Sequence, residues 1–224
     1  MGHAARHLGK TVVTGATGMV GSQVLKALLN APDASEVISL GRRAPEIAAA
    51  KLRHVDIADF SDQAELASAI AGCDSILHCL STYSAQVDKE TYHKITVDWL
   101  QSLLSAAEVA APNAHICFIS GAGARPDGGG FSFALREKGA AENALFASKL
   151  PRKISARPGG IAPTVARAKP SFGDRFAKLL LPLFPAAGIT SGDLGLAMVN
   201  ALRQDGKSDL VLENKDLRKL AGLT

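Results

Sequence analysis

Aromatic residues are scarce in this chain: one tryptophan, two tyrosines and eight phenylalanines, 5% of 224 residues. A large excess of charge of one sign is missing too. Twenty-five Lys and Arg stand against twenty-one Asp and Glu, and the formal +4 is scattered, so neither a nucleic-acid nor a membrane-surface role follows from it. No apolar run reaches the ~18 residues of a membrane helix. Residues 1–7 lack the apolar core of a signal peptide and are expected to fray. The three cysteines, Cys73, Cys79 and Cys117, are odd in number and do not make a disulfide framework. Buried reduced thiols are expected, and with them a cytoplasmic protein. The six histidines show no metal-ligand spacing, so no metal site is expected. Ser120 lies in Ser-Gly-Ala-Gly, with no Gly-x-Ser-x-Gly around it, which excludes a nucleophile elbow.

What is present is a regular alternation of two periodicities. Hydrophobic residues make up 47% of the chain, enough for one large core. Strands are predicted at Thr11–Thr14, Glu36–Leu40, Leu52–Val55, Ser75–Leu80, His115–Ser120 and Lys153–Arg157. Between them, helices are predicted at Met19–Asn30, near Glu46–Lys51, from a Ser61 or Asp62 cap to Ala71, at Lys89–Ala110 and at Phe133–Ser148. The core of the fourth strand, Ile76-Leu77-His78-Cys79-Leu80, is broken only by His78, the pattern of a strand buried on both faces. Such alternation predicts right-handed βαβ units and a Rossmann-type, doubly wound parallel sheet in a single domain over residues 1–224.

Beyond Arg157-Pro158-Gly159 the regularity fails, and residues 160–205 form the less regular, substrate-side part. Pro163, Pro170, Pro182 and Pro185 interrupt it. Phe172–Leu181 is an apolar helix candidate within the segment 160–190, which is expected as a substrate lid or pocket wall; the alternative is that its apolar face packs on the sheet edge or on a second copy of the chain, so a homodimer is carried as an expectation. A helix capped by Thr190 or Ser191 runs to Leu202, Leu210–Leu212 reads as a strand, and Asp216 caps a short last helix.

The most specific local signal is Thr14-Gly15-Ala16-Thr17-Gly18-Met19-Val20-Gly21, between the first strand and the first helix. A glycine turn there presents backbone N–H groups and the positive end of a helix dipole to one point, where a pyrophosphate can sit. The end of the second strand decides the nucleotide. An NAD protein places a carboxylate there for the ribose 2′-hydroxyl. This chain has Leu40-Gly41-Arg42-Arg43, two guanidiniums able to clamp a 2′-phosphate, which points to NADP.

Together with His78-Cys79-Leu80-Ser81-Thr82, Ile119-Ser120, Lys138-Gly139, Arg157-Pro158-Gly159 and Leu212-Glu213-Asn214-Lys215, these residues resemble the short-chain dehydrogenase/reductase superfamily in its atypical and extended branch. The resemblance is to the NmrA-like NAD(P)-binding subgroup related to the Tat-interacting oxidoreductase. It implies that Gly15, Thr17, Gly18, Met19 and Val20 hold the pyrophosphate and that Arg42 and Arg43 hold the 2′-phosphate. Asp56 and Ile57 would flank adenine, although Asp56 also reads as a turn or helix cap. Leu80 and Ser81 would line the adenosine side, Lys138 would bond the nicotinamide ribose, and Pro158, Gly159 and Ile161 would face the nicotinamide.

Reductases of that superfamily carry Tyr-x-x-x-Lys on the helix after the fifth strand, the tyrosine passing a proton and a strand-end serine orienting the substrate oxygen. Ser120 and Lys138 are present here, but the residue four before Lys138 is Ala134. Tyr83 is the candidate replacement donor, or else an aromatic pocket wall. Tyr92 and His93 could reach the cleft mouth or form a partly exposed helix face. Three functions stay open: an NADP-dependent reductase of a carbonyl or enone in a small, largely apolar molecule; a non-redox isomerase or cyclase keeping NADP as a structural element; and a non-catalytic NADP-binding regulator or scaffold.

Overall fold

In the computed structural model, described for residues 6–165, 185–204, 206 and 209–223, seven parallel strands form one sheet in the order β3-β2-β1-β4-β5-β6-β9. These are β1 (Gly9–Thr14), β2 (Ala34–Leu40), β3 (Leu52–Val55), β4 (Ser75–His78), β5 (His115–Ile119), β6 (Arg152–Arg157) and β9 (Leu210–Glu213). Helices cover both faces, as the doubly wound expectation requires. Between them lie a second, two-stranded parallel sheet, β7 (Gly160–Ala162) with β8 (Gly188–Thr190), which the three-residue segments did not announce. The candidate helix Phe172–Leu181 lies outside the described residues; of the 160–190 segment expected as a lid, only the two ends are described, and they pair as β7 and β8.

Strand alternation sorts the core into two layers. Val13, Val37, Leu77, Cys117 and Ile154 point to one face with Val24, Leu28, Met198 and Leu202. The helices on that face are α1 (Gly21–Leu29), α6 (Ser191–Arg203) and α7 (Asn214–Leu220). Val12, Ile38, Ile76, Ile116 and Phe118 point to the other face, with Leu66, Leu103, Leu104 and Leu145. Its helices are α2 (Gln63–Ile70), α3 (Lys89–His93), α4 (Trp99–Ala110) and α5 (Phe133–Ala147). Gly195 lets α6 close on α1, since a Cβ there would lie 2.8 Å from the Val24 backbone nitrogen. All three cysteines are free and buried.

Four details differ from the sequence reading. Residues 46–51 form no helix: the stretch between Pro45 and β3 is too short to nucleate one, and Lys51 folds back to donate to the carbonyls of Ala31 (2.6 Å) and Ala34 (3.2 Å). The expected helix 89–110 is interrupted by a π-turn at Lys94–Asp98. The extra residue rotates the chain, so that Thr96 and Val97 are buried while Ile95 is half-buried. The last helix is capped by Glu213; Asp216 sits three residues in and accepts the Glu213 N–H (3.1 Å). Finally, Arg6 does not fray: it donates to Ser75 Oγ (2.9 Å) and the Asp74 carbonyl (2.6 Å).

Candidate functional site

The strand order reverses between β1 and β4, and ligands of open α/β sheets bind at such a crevice, beyond the carboxyl ends of the strands. The glycine turn lies there because its own backbone leaves no alternative. Gly15 has φ +68°, and a Cβ on it would sit 2.8 Å from the backbone of Cys79 and Leu80. A Cβ on Gly21 would meet the Gly15 carbonyl oxygen at 2.1 Å. That oxygen accepts the Gly18 N–H (2.9 Å), closing the turn. Helix α1 then starts without a side-chain cap and without an acid in its first turn. Its positive end is left for an anion. Thr14 Oγ1 accepts the Leu80 N–H (3.3 Å) and lies 3.0 Å from His78 Nδ1, which fixes β4 against β1 at the crevice.

Beside the turn, two cavities adjoin. One, of about 400 Å³, lies between α1 and the 43–47 loop, with Thr17, Ser22, Lys26 and Arg43 among its walls. The other, of about 290 Å³, is bounded by Thr17, Gly18, Met19, Arg43, Val165 and Ser191. Arg43 lines both; Arg42 is exposed next to it. Asp56 is exposed just past β3, and Ile57 is fully buried there. The cap of α2 is Asp62, which accepts from Ala64 and Glu65 N–H, so Asp56 does not serve that helix. Leu80 is half-buried and Ser81 exposed at the exit of β4.

The far side of the crevice is built from β5, α5 and β6. Ser120 is buried directly after β5, its N–H bonded to the Ala156 carbonyl (2.8 Å). Lys138 points inward from α5, donates to the Ile119 carbonyl (2.9 Å) and lies 4.8 Å from the centre of the Phe118 ring. Burial brings its ammonium down to about 8. Gly139 lets the loop after β5 pack against α5, because a Cβ there would fall 2.1 Å from the Arg125 backbone. One turn ahead of Lys138 stands half-buried Ala134. One turn behind, fully buried Glu142 accepts from Ser155 Oγ (2.7 Å) and from both Arg157 Nε (2.8 Å) and Nη2. Burial opposes its charge, but the bonds from Arg157 and Ser155 outweigh that and hold its carboxyl below the usual range. Pro158 is buried, its carbonyl accepting the Ala122 N–H (2.9 Å). Gly159 is pressed so close that a Cβ would lie 2.3 Å from the Ala187 carbonyl, and Ile161 pairs with Ile189 in the small sheet.

The tyrosines divide. Tyr83 is 41% exposed on the segment after β4. Tyr92 is buried, its ring 5.7 Å from that of Phe133, so it does not open to the cleft mouth. His93 is held between Glu137 (2.5 Å) and Asp98 (3.3 Å). Sequence reasoning passed over Lys26 and Ser22; their spacing of four on α1, next to the glycine turn, was the available signal. It also left His78 as a break in an apolar run, and here the structure is more informative. Its ring is fully buried, burial lowers it to about 3, and Nε2 has no hydrogen-bond partner.

The model of the NAD dependent epimerase/dehydratase family matches residues 11–145, and the chain belongs to that family. The resemblance to the extended short-chain dehydrogenase/reductases is thereby borne out. "Protein FMP52, mitochondrial" of Meyerozyma guilliermondii is 26% identical over 151 residues, a match covering 67% of this chain and 64% of that protein, just under two thirds of its length. "Protein fmp52, mitochondrial" of Emericella nidulans is 28% identical over 206 residues, 87% of each chain. Both carry a mitochondrial designation, which overturns the cytoplasmic expectation. Solved structures share the fold: MoeE5 in complex with UDP-glucuronic acid and NAD (TM-score 0.73, 18% identity, 96% of this chain and 83% of that one) and uronate dehydrogenase from Agrobacterium tumefaciens (0.68, 19%, 92% and 77%).

Proposed function

We propose that this member of the epimerase/dehydratase family binds NADP(H) and reduces a carbonyl or enone of a small, largely apolar molecule. The observation that carries the reading is the preformed glycine turn facing Arg43 across a cavity, with no carboxylate in Leu40-Gly41-Arg42-Arg43 at the end of β2. Gly15, Thr17, Gly18, Met19 and Val20 hold the pyrophosphate, Arg42 and Arg43 the 2′-phosphate. Asp56 and Ile57 flank adenine, with Leu80 and Ser81 on the adenosine side. Lys138, already presented inward, bonds the nicotinamide ribose, and Pro158, Gly159 and Ile161 back the ring. When bound, the nicotinamide supplies or accepts hydride. Ser120 orients the substrate oxygen, and the proton comes from Tyr83 or water, since Ala134 has none to give. MoeE5, solved with NAD, shares the fold, which supports a nicotinamide nucleotide here.

Ala134 favours a second reading, in which the nucleotide is kept and no hydride moves: an isomerase or cyclase, or a binding protein that responds to the redox state of the nucleotide. One experiment separates them. NADPH is mixed with a panel of carbonyl and enone compounds, and nucleotide absorbance and product mass are followed together. Consumption of NADPH is the expected result. Product without consumption means the non-redox enzyme, tight binding with neither means the regulator, and no NADPH binding at high micromolar concentration removes the premise of all three.

A further inference from the structure

Lys26 belongs to the last turn of α1, one turn beyond Ser22, and both face the 400 Å³ cavity. Opposite them stands Arg43, with Thr17 completing the polar wall. Several basic side chains away from this cavity have partners. Arg53 pairs with Glu36 (3.2 Å), Lys94 with Asp59 (3.3 Å), and Lys51 bonds two carbonyls. Among the described residues the exposed side chains of Lys26 and Arg43 have neither an ion pair nor a hydrogen bond. Two like charges that line one cavity repel each other unless an anion lies between them. Ala16, Leu25, Ala44, Pro45 and Ile47 form the apolar part of the wall, and the cavity stays open to solvent on the side of the exposed Lys26, Arg43 and Glu46. A helix C-terminal turn also favours a lysine for its own dipole, but that interaction does not require the side chain to line a cavity shared with an arginine. Glu46 is the one acid in the lining, so the local balance is two positive charges against one negative.

We propose that Lys26 is a specificity-determining residue, taking the nucleotide's 2′-phosphate monoester jointly with Arg43, while Glu46 opposes it. The inference rests on the NADP reading and assigns the selectivity to a residue outside the Arg42-Arg43 pair. Arg42, which lines neither cavity, then contributes less than Lys26.

The test needs no substrate. Equilibrium binding of NADPH and NADH is measured by nicotinamide fluorescence for the natural chain and for Lys26→Met, Lys26→Arg, Arg43→Met, Arg42→Met and Glu46→Gln, with thermal melting to verify folding. The natural chain is expected to prefer NADPH. Lys26→Met should weaken NADPH about five- to tenfold and leave NADH within about twofold, the range of a charge-assisted contact at a half-open site. That loss should shrink as salt rises. Lys26→Arg should keep the preference, and Glu46→Gln should tighten NADPH about two- to threefold. If the natural chain does not distinguish the two nucleotides, the NADP reading fails and this inference with it. If it does, and Arg43→Met removes the preference while Lys26→Met does not, only the role of Lys26 is overturned. Equal losses of NADH and NADPH in Lys26→Met overturn it as well.

Discussion

The glycine turn after β1 and the serine corner after β5 flank β4 from either side, yet they hold their shapes by different physics. At the first, backbone meets backbone. Gly15 and Gly21 exclude any side chain, and what faces the ligand is amide and helix dipole. At the second, charged side chains are buried and satisfy one another: Glu142 with Arg157 and Ser155, Lys138 with a strand carbonyl. A site built from backbone is insensitive to pH and depends on the absence of atoms. A site built from buried charge depends on every partner remaining in place.

The largest expected effect therefore belongs to the second site. Arg157→Met removes the main partner of a carboxylate that is fully buried, and Arg157 is itself held well above the usual guanidinium range by that contact. Breaking such a pair from one side costs about 3–5 kcal/mol. Urea unfolding would read it, and a loss under about 1 kcal/mol would mean that Glu142 finds water and that the contrast between the two sites is wrong. Next comes the glycine turn. Gly21→Ala places a Cβ 2.1 Å from the Gly15 carbonyl oxygen, against backbone that cannot step aside. Overpacking of this kind costs roughly 1–3 kcal/mol, and NADPH affinity should fall more than tenfold in the same titration. Retained affinity would show that the turn can open without harm to the nucleotide site. Ser155→Ala sharpens the comparison from the other direction. It removes a neutral donor to Glu142 (2.7 Å) and leaves Arg157. A single bond to a charged group contributes about 1.5–3 kcal/mol, so the loss should fall below that for Arg157→Met, which removes two bonds and the countercharge. Equal losses would say that the number of bonds, not the countercharge, holds the carboxylate.

The two sites were also unequally legible in the sequence. Glycine spacing between a strand and a helix reports a backbone shape directly, so the turn, the sheet and most strand limits could be read before any coordinates. Position 134 is a plain letter, and the alanine one turn before Lys138 needed only counting. What could not be read was set by packing across the sequence. The π-turn at Lys94–Asp98 leaves no compositional trace. Lys26 is exposed, and only the fold shows that it lines a cavity together with the 43–47 loop. The pairing of β7 with β8 joins residues 28 apart, such as Gly160 and Gly188, through two three-residue strands, too short for any periodicity to show.

His78 stands on β4, between the two sites, and tests the comparison most finely. Its Nδ1 meets Thr14 Oγ1, which already accepts the Leu80 N–H. The threonine hydroxyl hydrogen is then best placed to donate to Nδ1, which puts the ring proton on Nε2 and leaves one orphaned group; the opposite tautomer would leave two. Either way the ring is neutral, and burial, then the Lys138 ammonium, lowers it from 6.5 to about 3. The sign follows. As pH falls through 6.5 the unfolded chain takes up a proton that the folded chain refuses, so the stability contributed by the neutral ring is complete above that value. It is lost progressively toward pH 3, by about 1.4 kcal/mol at one unit below the unfolded value. His78→Phe keeps a buried ring of similar shape beside Phe118 and has no proton to accept. The difference between the two proteins in urea unfolding should therefore grow by about 1.4 kcal/mol between pH 7.5 and 5.5, with the natural chain losing ground. A difference independent of pH would mean that the imidazole reaches water, and that the serine side of the crevice is wetter than its burial implies.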